Sequence, residues 1–476
     1  MSFHSSCGRP AYIMGAQAIV SSSLKKSKSE LTARTTTDLI RQAFRGACRD
    51  AGVNDIDEFV PDAVLAVPSL AEPHFMEAHY QASQLFASSS SSSCIKNKTK
   101  MPYCKTVDTG GASPITALLE GARLIATSSD IHTVAVIAAD TVASLDTPTF
   151  LERANDTFHQ LSSSSTHDHS TTTDHRKDNN NNMEERSKNN NIPFIPWGYS
   201  QITQYQMEHC GLTRDQLYMT LVLLSHHAAL HPQALQRTPY SDISELQKQS
   251  LSHPKNISIA PHISIKECAR RADGAGCILL SSSSDDCAAI DNNDRDDKVI
   301  QILAGAEASS ALIPPSDVNN ITEHHINSFR RCIDSLYRDA NMTVNDIDFF
   351  ALYDCFPICL IRALEACGIA DHHQGGKYVE QQYNLLMQRN HSHQNSLFQD
   401  KSFFPVNTHG GLLCYGAPWE VPAIYNAIEA IDQLQGRAKG RSIENCQTAL
   451  VYGNGGILSA SAVMILKNIE RKGIMK

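Results

Sequence analysis

A strand-like segment running into a pair of glycines occurs twice in this chain, and the repeat constrains its fold more than any other feature. The first copy is Val107–Pro114, with the glycine pair at 110 and 111, and the second is Pro405–Pro418, with the pair at 410 and 411. The helical patterns that follow are Ile115–Thr127 and Trp419–Leu434, and the next strand patterns are Val134–Ala139 and Thr448–Tyr452. A repeated strand–turn–helix–strand unit predicts a duplicated α/β domain.

The two glycine turns also predict where a ligand would bind. Adjacent glycines let the backbone adopt positive φ and let a ligand approach the main chain closely. The helix that follows each turn directs its unpaired N–H groups and the positive end of its dipole at whatever occupies the turn. We therefore expect a ligand site where the two turns meet, beyond the strand ends.

Composition excludes several classes of function. The chain has 476 residues, of which 41% are hydrophobic and 19% charged, and this balance is typical of a globular protein with two or three domains. A formal charge of −9 gives no electrostatic reason to expect a nucleic-acid partner, and no apolar run reaches the length of a membrane span. The 14 cysteines show no spacing of a zinc site, which favours buried free thiols in a reducing compartment. Cytosol is the default expectation, and a peroxisomal location stays open although the C-terminus, Gly473–Lys476, carries no Ser-Lys-Leu-type signal.

The α/β pattern is interrupted once, and the interruption predicts the domain boundaries. Residues 162–191 consist mostly of Ser, Thr, His, Asp and Asn, so they cannot bury enough apolar surface to offset the entropy of ordering, and we expect disorder. A mostly helical region, 146–258, surrounds this tract. The α/β halves are predicted to be 1–145 with 259–282, and 298–476.

Five blocks of the sequence carry a resemblance to a known family. They are Val107–Leu118, Asp273–Leu280, Tyr353–Gly368, Asn407–Pro418 and Leu450–Gly456. In this order they resemble the thiolase superfamily, and within it the thiolases of the sterol-carrier-protein type. The resemblance implies two βαβαβαββ halves in five αβαβα layers, with an inserted loop domain. It also implies a homodimer that takes a coenzyme A thioester as its substrate and binds no covalent cofactor or metal.

The catalytic positions of that family hold different residues here. By the register of the resemblance, Gly111 occupies the slot of the nucleophilic cysteine, and Ala417 occupies that of the catalytic histidine. Tyr353 takes the place of the family's Asn or His before an acidic residue. The last acid/base position falls within Tyr452–Asn454, which has neither a thiol nor an imidazole. The cysteines near the two turns, Cys104 and Cys414, are more simply interpreted as packing thiols.

The polar residues that remain around the turns are the candidate site. We expect catalytic roles for Tyr353, His409, Tyr415 and Asp354, since histidine and tyrosine can transfer protons or donate hydrogen bonds to an oxyanion. The candidates for the pocket and the oxyanion contacts are Gly111, Thr109, Asn407, Gly410, Gly411, Tyr452 and Asn454. Structural roles stay open for several of them: a buried tyrosine with a satisfied hydroxyl at 353, a turn histidine at 409, and Asx-turn bonding at 407.

Three functions are compatible with these residues. The family implies an acyl-CoA acyltransferase, here working without a cysteine acyl-enzyme. The second is a retro-aldol C–C lyase acting on a β-hydroxyacyl-CoA, similar to thiolase-like aldolases that work with an OB-fold, zinc-ribbon partner. The third is a non-catalytic subunit that binds acyl-CoA.

Overall fold

Ten strands of the described chain form one mixed sheet, which divides into two halves that meet at the pair Tyr12–Gln301. The computed structural model describes residues 2–4, 8–22, 34–86, 101–159, 192–252, 258–287, 298–390, 398 and 403–470. The strands are β1 Ser2–His4, β2 Tyr12–Ser21, β3 Ala63–Ala66, β4 Tyr103–Thr106, β5 Thr133–Asp140, β6 Ser258–Ala260, β7 Ile263–Ser264, β8 Asp273–Ser281, β9 Lys298–Ser309, β10 Phe349–Ala351, β11 Thr448–Gly455 and β12 Ala460–Glu470.

The two halves of the sheet have related orders, β4-β3-β5-β8-β2 and β9-β12-β11-β10. In the first half β3 runs parallel to β4 and β5, and β8 runs antiparallel to β5 and β2. In the second half β10 runs parallel to β11, and β12 runs antiparallel to β11 and β9. β1 pairs with β9, while β6 and β7 form a separate two-stranded ribbon.

Helices cover both halves of the sheet and fill the space between them. They are α1 Thr36–Asp50, α2 Glu77–Phe86, α3 Ser113–Thr127, α4 Thr147–His159, α5 Phe194–Cys210, α6 Arg214–Ala229, α7 Ile243–Ser252, α8 Glu323–Ile326, α9 Ser328–Ala340, α10 Pro357–Cys367, α11 Gly375–Asn390, α12 Gly411–Cys414 and α13 Pro422–Leu434. α3 and α13 contact strands of both halves, so they form the middle layer. α1 and α2 cover the outer face of the first half, and α9 covers that of the second. The result is the layered α/β arrangement that the repeat predicted.

The central strands of the first half, β3, β5 and β8, are apolar on both faces because helices cover both sides of the sheet there. In β5, Val134, Val136 and Ala138 face the core shared with the middle layer, whereas Ala135 and Ile137 face the outer core under α1. This alternation follows from the two-residue period of a strand. Such continuous apolar strands leave polar groups only at the strand ends, where the glycine turns lie.

Two helices differ from the sequence predictions, one at its start and one in its middle. The helix predicted from Trp419 begins at Pro422, because Trp419 itself has φ +47° and proline favours the first turn of a helix. The sequence pattern of Ile321–Ala340 also predicts one helix, and the structure breaks it at Asn327 into α8 and α9. The disorder expected for 162–191 lies outside the described residues, and the predicted domain boundaries remain a prediction.

Candidate active site

Two adjacent residues, Tyr353 and Asp354, connect the two glycine turns. They lie in the loop between β10 and α10, and this loop ends at Pro357, the first residue of the helix. Tyr353 faces Gly111 of the first turn, and Asp354 faces Gly411 of the second. The repeated turns therefore border one loop, as the sequence pattern predicted.

The Tyr353 phenol fills the space that a side chain at position 111 would need. A Cβ built on Gly111 would lie 2.7 Å from Cζ of Tyr353 and would overlap its hydroxyl and the carbonyl oxygen of Asn454. Tyr353 is buried, and burial raises its pKa well above the ordinary value. The phenol thus stays neutral and can serve as a hydrogen-bond donor, and it lies against Gly111, the position that the family resemblance assigns to a cysteine.

Asp354 has the bonds of a structural residue. Its fully buried carboxylate accepts hydrogen bonds from the N–H groups of Leu412, at 2.8 Å, and Leu413, at 3.5 Å, at the start of α12. Burial raises its pKa to about 7, and these two backbone bonds oppose the shift. A Cβ on Gly411 would overlap the carboxylate, so glycine is required for this close approach.

Asn407 also uses its side chain to hold the loops together. Its amide accepts from the N–H of Leu352 and donates to the carbonyl of the same residue, both at 2.7 Å. Its own carbonyl accepts from the N–H of Gly410 at 2.8 Å, and Gly410, at φ +102°, packs against Ala228. Both polar atoms of the Asn407 side-chain amide are therefore hydrogen-bonded to backbone, which favours a structural role for this residue.

Tyr452 and Asn454 belong to a buried hydrogen-bonded network behind Gly111. Asn454 donates from Nδ2 to the hydroxyl of Tyr199 at 2.8 Å, and Tyr199 donates to the carbonyl of Gly456 at 2.8 Å. The Tyr452 hydroxyl donates to Oδ1 of Asn454 at 3.3 Å, and its ring stacks on Phe329. The network fixes the Asn454 carbonyl that borders Gly111. Tyr199 was missed in the sequence because it lies in the helical excursion, far from the repeated turns.

Glu420 is the second residue that the sequence reasoning missed. The N–H of Thr109 donates to Oγ of Ser113 at 2.7 Å, and this Oγ donates to Oε2 of Glu420 at 3.4 Å. Burial, followed by the charges of Asp108 and Asp140, raises the pKa of Glu420 to about 8. The charge of Glu420 in turn contributes to the raised pKa of Tyr353. An ionisable carboxyl therefore sits at the start of α3, beside the first turn, within electrostatic range of the phenol.

One sequence signal could have identified Glu420. It is the single charged residue between Gly410 and Ala427, in a segment that is otherwise apolar or small apart from its tyrosines and Asn426. A charge in such a buried segment requires a partner or a function.

His409 and Tyr415 lie in a different place from Tyr353. They line a polar cavity of about 210 Å³ together with His231, Gln233, Glu429, Asp432, Arg437 and residues of β2, and Tyr353 does not line it. The Tyr415 hydroxyl donates to Oε1 of Gln233 at 3.2 Å, and the rings of His409 and Tyr415 are 5.2 Å apart. Burial lowers the pKa of His409 to about 4, so its imidazole is neutral at pH 7.

The cavity is stabilised by an ion pair that is almost completely buried. Arg441 donates to the two carboxylate oxygens of Glu429 at 2.8 Å each, and the Thr408 hydroxyl donates to the same carboxylate at 2.5 Å. Although burial opposes ionisation, the Arg441 charge holds the pKa of Glu429 at about 2. The sequence-predicted catalytic set is thus divided between two locations in the fold.

The thiols near the turns have environments that suit packing. Cys414 is buried, and burial raises its pKa well above the ordinary value; burial also raises the pKa of Cys104, on β4. Ala417, in the histidine slot, donates its N–H to the Arg270 carbonyl at 2.7 Å. None of these three residues offers a thiolate or an imidazole to the Gly111 position.

Within the described ranges, no group of three or more His, Cys, Asp or Glu side chains is placed to hold a metal ion. In the same ranges no helix is both long and apolar enough to cross a membrane.

Comparison with known proteins agrees with the fold. A family model described as "Thiolase C-terminal domain-like" matches residues 315–468. Acetyl-CoA acetyltransferase of Methanothermobacter thermautotrophicus is 26% identical over 269 residues, which are 56% of this chain and 62% of that protein. Sterol carrier protein 2 of Bos taurus is 24% identical over 281 residues, which are 58% of this chain and 46% of that protein. The matches therefore span less than two thirds of the length of either relative.

Two solved structures share the fold over nearly the whole chain. The "Ltp2-ChsH2(DUF35) aldolase" superposes with a TM-score of 0.65 at 16% identity, covering 97% of this chain and 98% of that one. A monomeric SCP2-thiolase-like protein type 1 from Mycobacterium smegmatis superposes with a TM-score of 0.63 at 15% identity, covering 97% and 78%. The fold and the paired glycine turns define a protein of the thiolase fold. Its C-terminal part matches the thiolase model, and the chain is similar to proteins of the thiolase superfamily, including those of the sterol-carrier-protein type.

Proposed function

We propose that this protein acts on an acyl-CoA thioester without forming a cysteine acyl-enzyme, and that it cleaves a β-hydroxyacyl-CoA by a retro-aldol reaction. The observation that carries the proposal is the contact between Tyr353 and Gly111. A phenol stands where the acyl-transfer enzymes of the family carry a thiol, so the site offers a hydrogen-bond donor and no nucleophile. The coenzyme A thioester is the substrate class implied by the family.

The reaction requires a base and a stabiliser of negative charge. Glu420 removes the proton of the β-hydroxyl group as a carboxylate, and the electrons of that O–H bond form the new carbonyl. The bond between Cα and Cβ breaks, and its electron pair becomes the enolate of the thioester. The Tyr353 hydroxyl donates a hydrogen bond to the enolate oxygen. The proton that Glu420 has accepted then passes to Cα, which gives the shortened acyl-CoA and restores the carboxylate.

The environment of each group suits its role. A base works best when its pKa is near the working pH, and burial raises the pKa of Glu420 to about 8. A donor must keep its proton, and burial raises the pKa of Tyr353 well above its ordinary value. The fold shared with the Ltp2-ChsH2(DUF35) aldolase supports this assignment, and the name of that complex includes a DUF35 component. We therefore propose an OB-fold, zinc-ribbon protein as the partner of this chain.

A non-catalytic acyl-CoA-binding subunit is the second candidate. The bonds of Asp354 and Asn407 favour it, because each side chain is committed to holding neighbouring backbone. His409 and Tyr415 also lie in a separate cavity from Tyr353. In this case Tyr353 would shape an acyl-CoA pocket without transferring a proton.

The edge of the sheet at β4 is a candidate surface for contact with a second copy of the chain. β4 pairs with β3 on one side, and no described strand pairs with its other side. Large exposed apolar residues lie on or just before β4 and on or just before α2, the helix that contacts β4: Phe75, Met76, Tyr80, Met101 and Tyr103. An edge strand surrounded by apolar side chains favours pairing with a second chain. We propose a homodimer in which the β4 edges of two copies meet.

A product assay distinguishes the proposed activities. The full-length protein is incubated with a series of β-hydroxyacyl-CoA thioesters, alone and with an added OB-fold partner, and products are separated by chromatography. A lyase releases a carbonyl compound and a shorter acyl-CoA in equal amounts, with no free coenzyme A required. Transfer of the acyl group to added coenzyme A, or a stable acyl adduct in the intact-protein mass, would contradict the proposal. Binding without product would support the second candidate.

A further inference from the structure

Two thiols lie in contact beside Tyr353, and neither takes part in the proposed reaction. Sγ of Cys355 is 3.5 Å from Sγ of Cys359. Cys355 belongs to the loop that follows β10, and Cys359 is the third residue of α10. The N–H of Cys359 donates to the carbonyl of Phe356 at 2.9 Å, which winds the loop into the first helical turn and brings the two sulfurs to the same side.

The two thiols differ in accessibility. Cys355 is partly exposed, whereas Cys359 is buried. Burial raises the pKa of Cys359 well above the ordinary thiol value, so this sulfur keeps its proton and does not react first. The arrangement is an accessible thiol with a buried thiol directly behind it.

We propose that Cys355 and Cys359 form a peroxide-sensitive dithiol that closes to a disulfide at the Tyr353 loop. The Cys355 sulfur attacks one oxygen of a hydroperoxide, the O–O bond breaks, and Cys355 becomes a sulfenic acid while water or an alcohol leaves. The Cys359 sulfur then attacks the sulfenic sulfur and expels hydroxide, which takes up the Cys359 proton to form water. Two thiols lose two electrons in total, and the peroxide gains both.

The structure permits this closure with a small movement. A disulfide needs a sulfur separation of about 2.05 Å, so the two sulfurs must approach by roughly 1.5 Å. The closed loop is very short, and the bond therefore adds little constraint to the unfolded chain. Its effect is local, because it ties the loop that carries Tyr353 to the first turn of α10. Placement of the Tyr353 hydroxyl against Gly111 would change, and this consequence for turnover rests on the proposed function.

The pair can be tested without any knowledge of the substrate. Trypsin releases both cysteines in one peptide, Asp339–Arg362, which contains no other cysteine. The full-length protein is treated with hydrogen peroxide, and free thiols are blocked with iodoacetamide. The protein is then digested with trypsin, and the peptide masses are measured by mass spectrometry. We expect this peptide to be two hydrogens lighter and free of alkyl groups. Reduction before blocking should restore the doubly alkylated form.

Three variants separate the dithiol from unspecific oxidation. Cys359→Ser should lose the linked peptide and leave Cys355 as a sulfenic acid that dimedone captures. Cys355→Ser should lose both products, whereas Cys104→Ser, at a partly exposed thiol on β4, should form the linked peptide as the wild type does. A peptide that stays doubly alkylated after peroxide treatment would overturn the proposal. So would a link from Cys355 to Cys268, a partly exposed thiol next to Ala269, whose N–H donates to the Cys355 carbonyl at 2.9 Å.

The effect of the disulfide on turnover is measured in a separate assay. Cleavage of a β-hydroxyacyl-CoA should fall as the linked peptide accumulates and return on reduction. Unchanged cleavage by the fully linked protein would overturn the coupling to the Tyr353 loop. If the reduced protein cleaves no thioester, the proposed function fails, and the mass measurement still decides whether the dithiol closes.

Discussion

The phenol of Tyr353 occupies the space that any side chain at Gly111 would fill, with the Cζ atom 2.7 Å from an ideal Cβ position. The two residues are 242 positions apart in the chain, and the fold brings them together because each lies beyond the end of a strand in a different half. This contact explains how a thiolase fold can lack its cysteine without leaving a void at the nucleophile's position.

Substitution of Gly111 by alanine tests this contact. The added Cβ would overlap the Tyr353 hydroxyl and the Asn454 carbonyl, so Gly111→Ala should lower the free energy of unfolding by about 1–3 kcal/mol. Tyr353→Phe in the same chain should recover part of the loss, and denaturant titration of the double-mutant cycle measures the coupling. Gly121→Ala, whose nearest atom is a flexible leucine methyl group at 3.0 Å, is the matched control. Additive effects at 111 and 353 would contradict the contact.

The pH profile of turnover tests Glu420 as the base. A base must be ionised, and burial raises the pKa of Glu420 to about 8. We therefore expect kcat/KM for thioester cleavage to rise with pH and to level off above about 8. Glu420→Gln should lower turnover by about 10²–10⁴-fold and remove this rise.

The control for that variant is Glu120→Gln, in α3 but paired with Lys105 at the surface. It should keep both the rate and the pH profile. A Glu420→Gln protein that retains the rise near pH 8 would show that another group is the base.

The ion pair between Glu429 and Arg441 should be important for stability. Its partners are 2% and 4% exposed, and removing one charge leaves the other buried without compensation. Glu429→Gln should lower the free energy of unfolding by about 3–5 kcal/mol. Asp334→Asn, in an exposed pair with Arg330, should change it by less than about 0.5 kcal/mol.

The same ion pair predicts how the free energy of unfolding changes at acid pH. The Arg441 charge holds the pKa of folded Glu429 at about 2, below the ordinary value of 4.5. Between pH 4.5 and pH 2, Glu429 therefore binds a proton in the unfolded chain but not in the folded one. The contribution of Glu429 to the free energy of unfolding is lost as pH falls through this range. Chemical unfolding of wild type and Glu429→Gln between pH 7 and pH 2 measures this contribution. The difference in free energy of unfolding between the two proteins should become smaller at low pH. A constant difference would contradict the assignment.

The fold was predictable from the sequence because it depends on repeated local patterns. The glycine turns, the helices that follow them and the doubly apolar strands each have a period or a turn residue that can be recognised in one segment. The placement of His409 and Tyr415 could not be recognised in this way. They lie within six residues of Gly410, yet their direction depends on α12 and its contact with Asp354.

Glu420 and Tyr199 were missed for a related reason. Glu420 lies three residues after Ala417, at a position to which the family's catalytic pattern assigns no role. Tyr199 reaches the site through a hydrogen bond from Asn454, 255 residues away. Only tertiary packing creates such a contact.

The proposed homodimer can be tested at the β4 edge. Tyr103 is 48% exposed on the unpaired side of the first half, and a charged residue there would oppose pairing of two edges. Tyr103→Lys should therefore shift the wild-type dimer to a monomer in sedimentation velocity. Leu312→Ser, at an exposed apolar residue beside Gly456 in the second half, should remain dimeric. A wild-type protein that sediments as a monomer, or a dimer unaffected by Tyr103→Lys, would contradict the interface.

The rate of β-hydroxyacyl-CoA cleavage by Tyr353→Phe, compared with wild type, tests the central claim most directly. Tyr337→Phe is the control, since its hydroxyl donates to the Cys367 carbonyl in a helix pair outside the site. We predict that Tyr353→Phe lowers the rate by about 10²–10⁴-fold with nearly unchanged thioester binding, while Tyr337→Phe keeps the wild-type rate. Cleavage by Tyr353→Phe at the wild-type rate, or an acyl group trapped on a cysteine during turnover, would contradict the account.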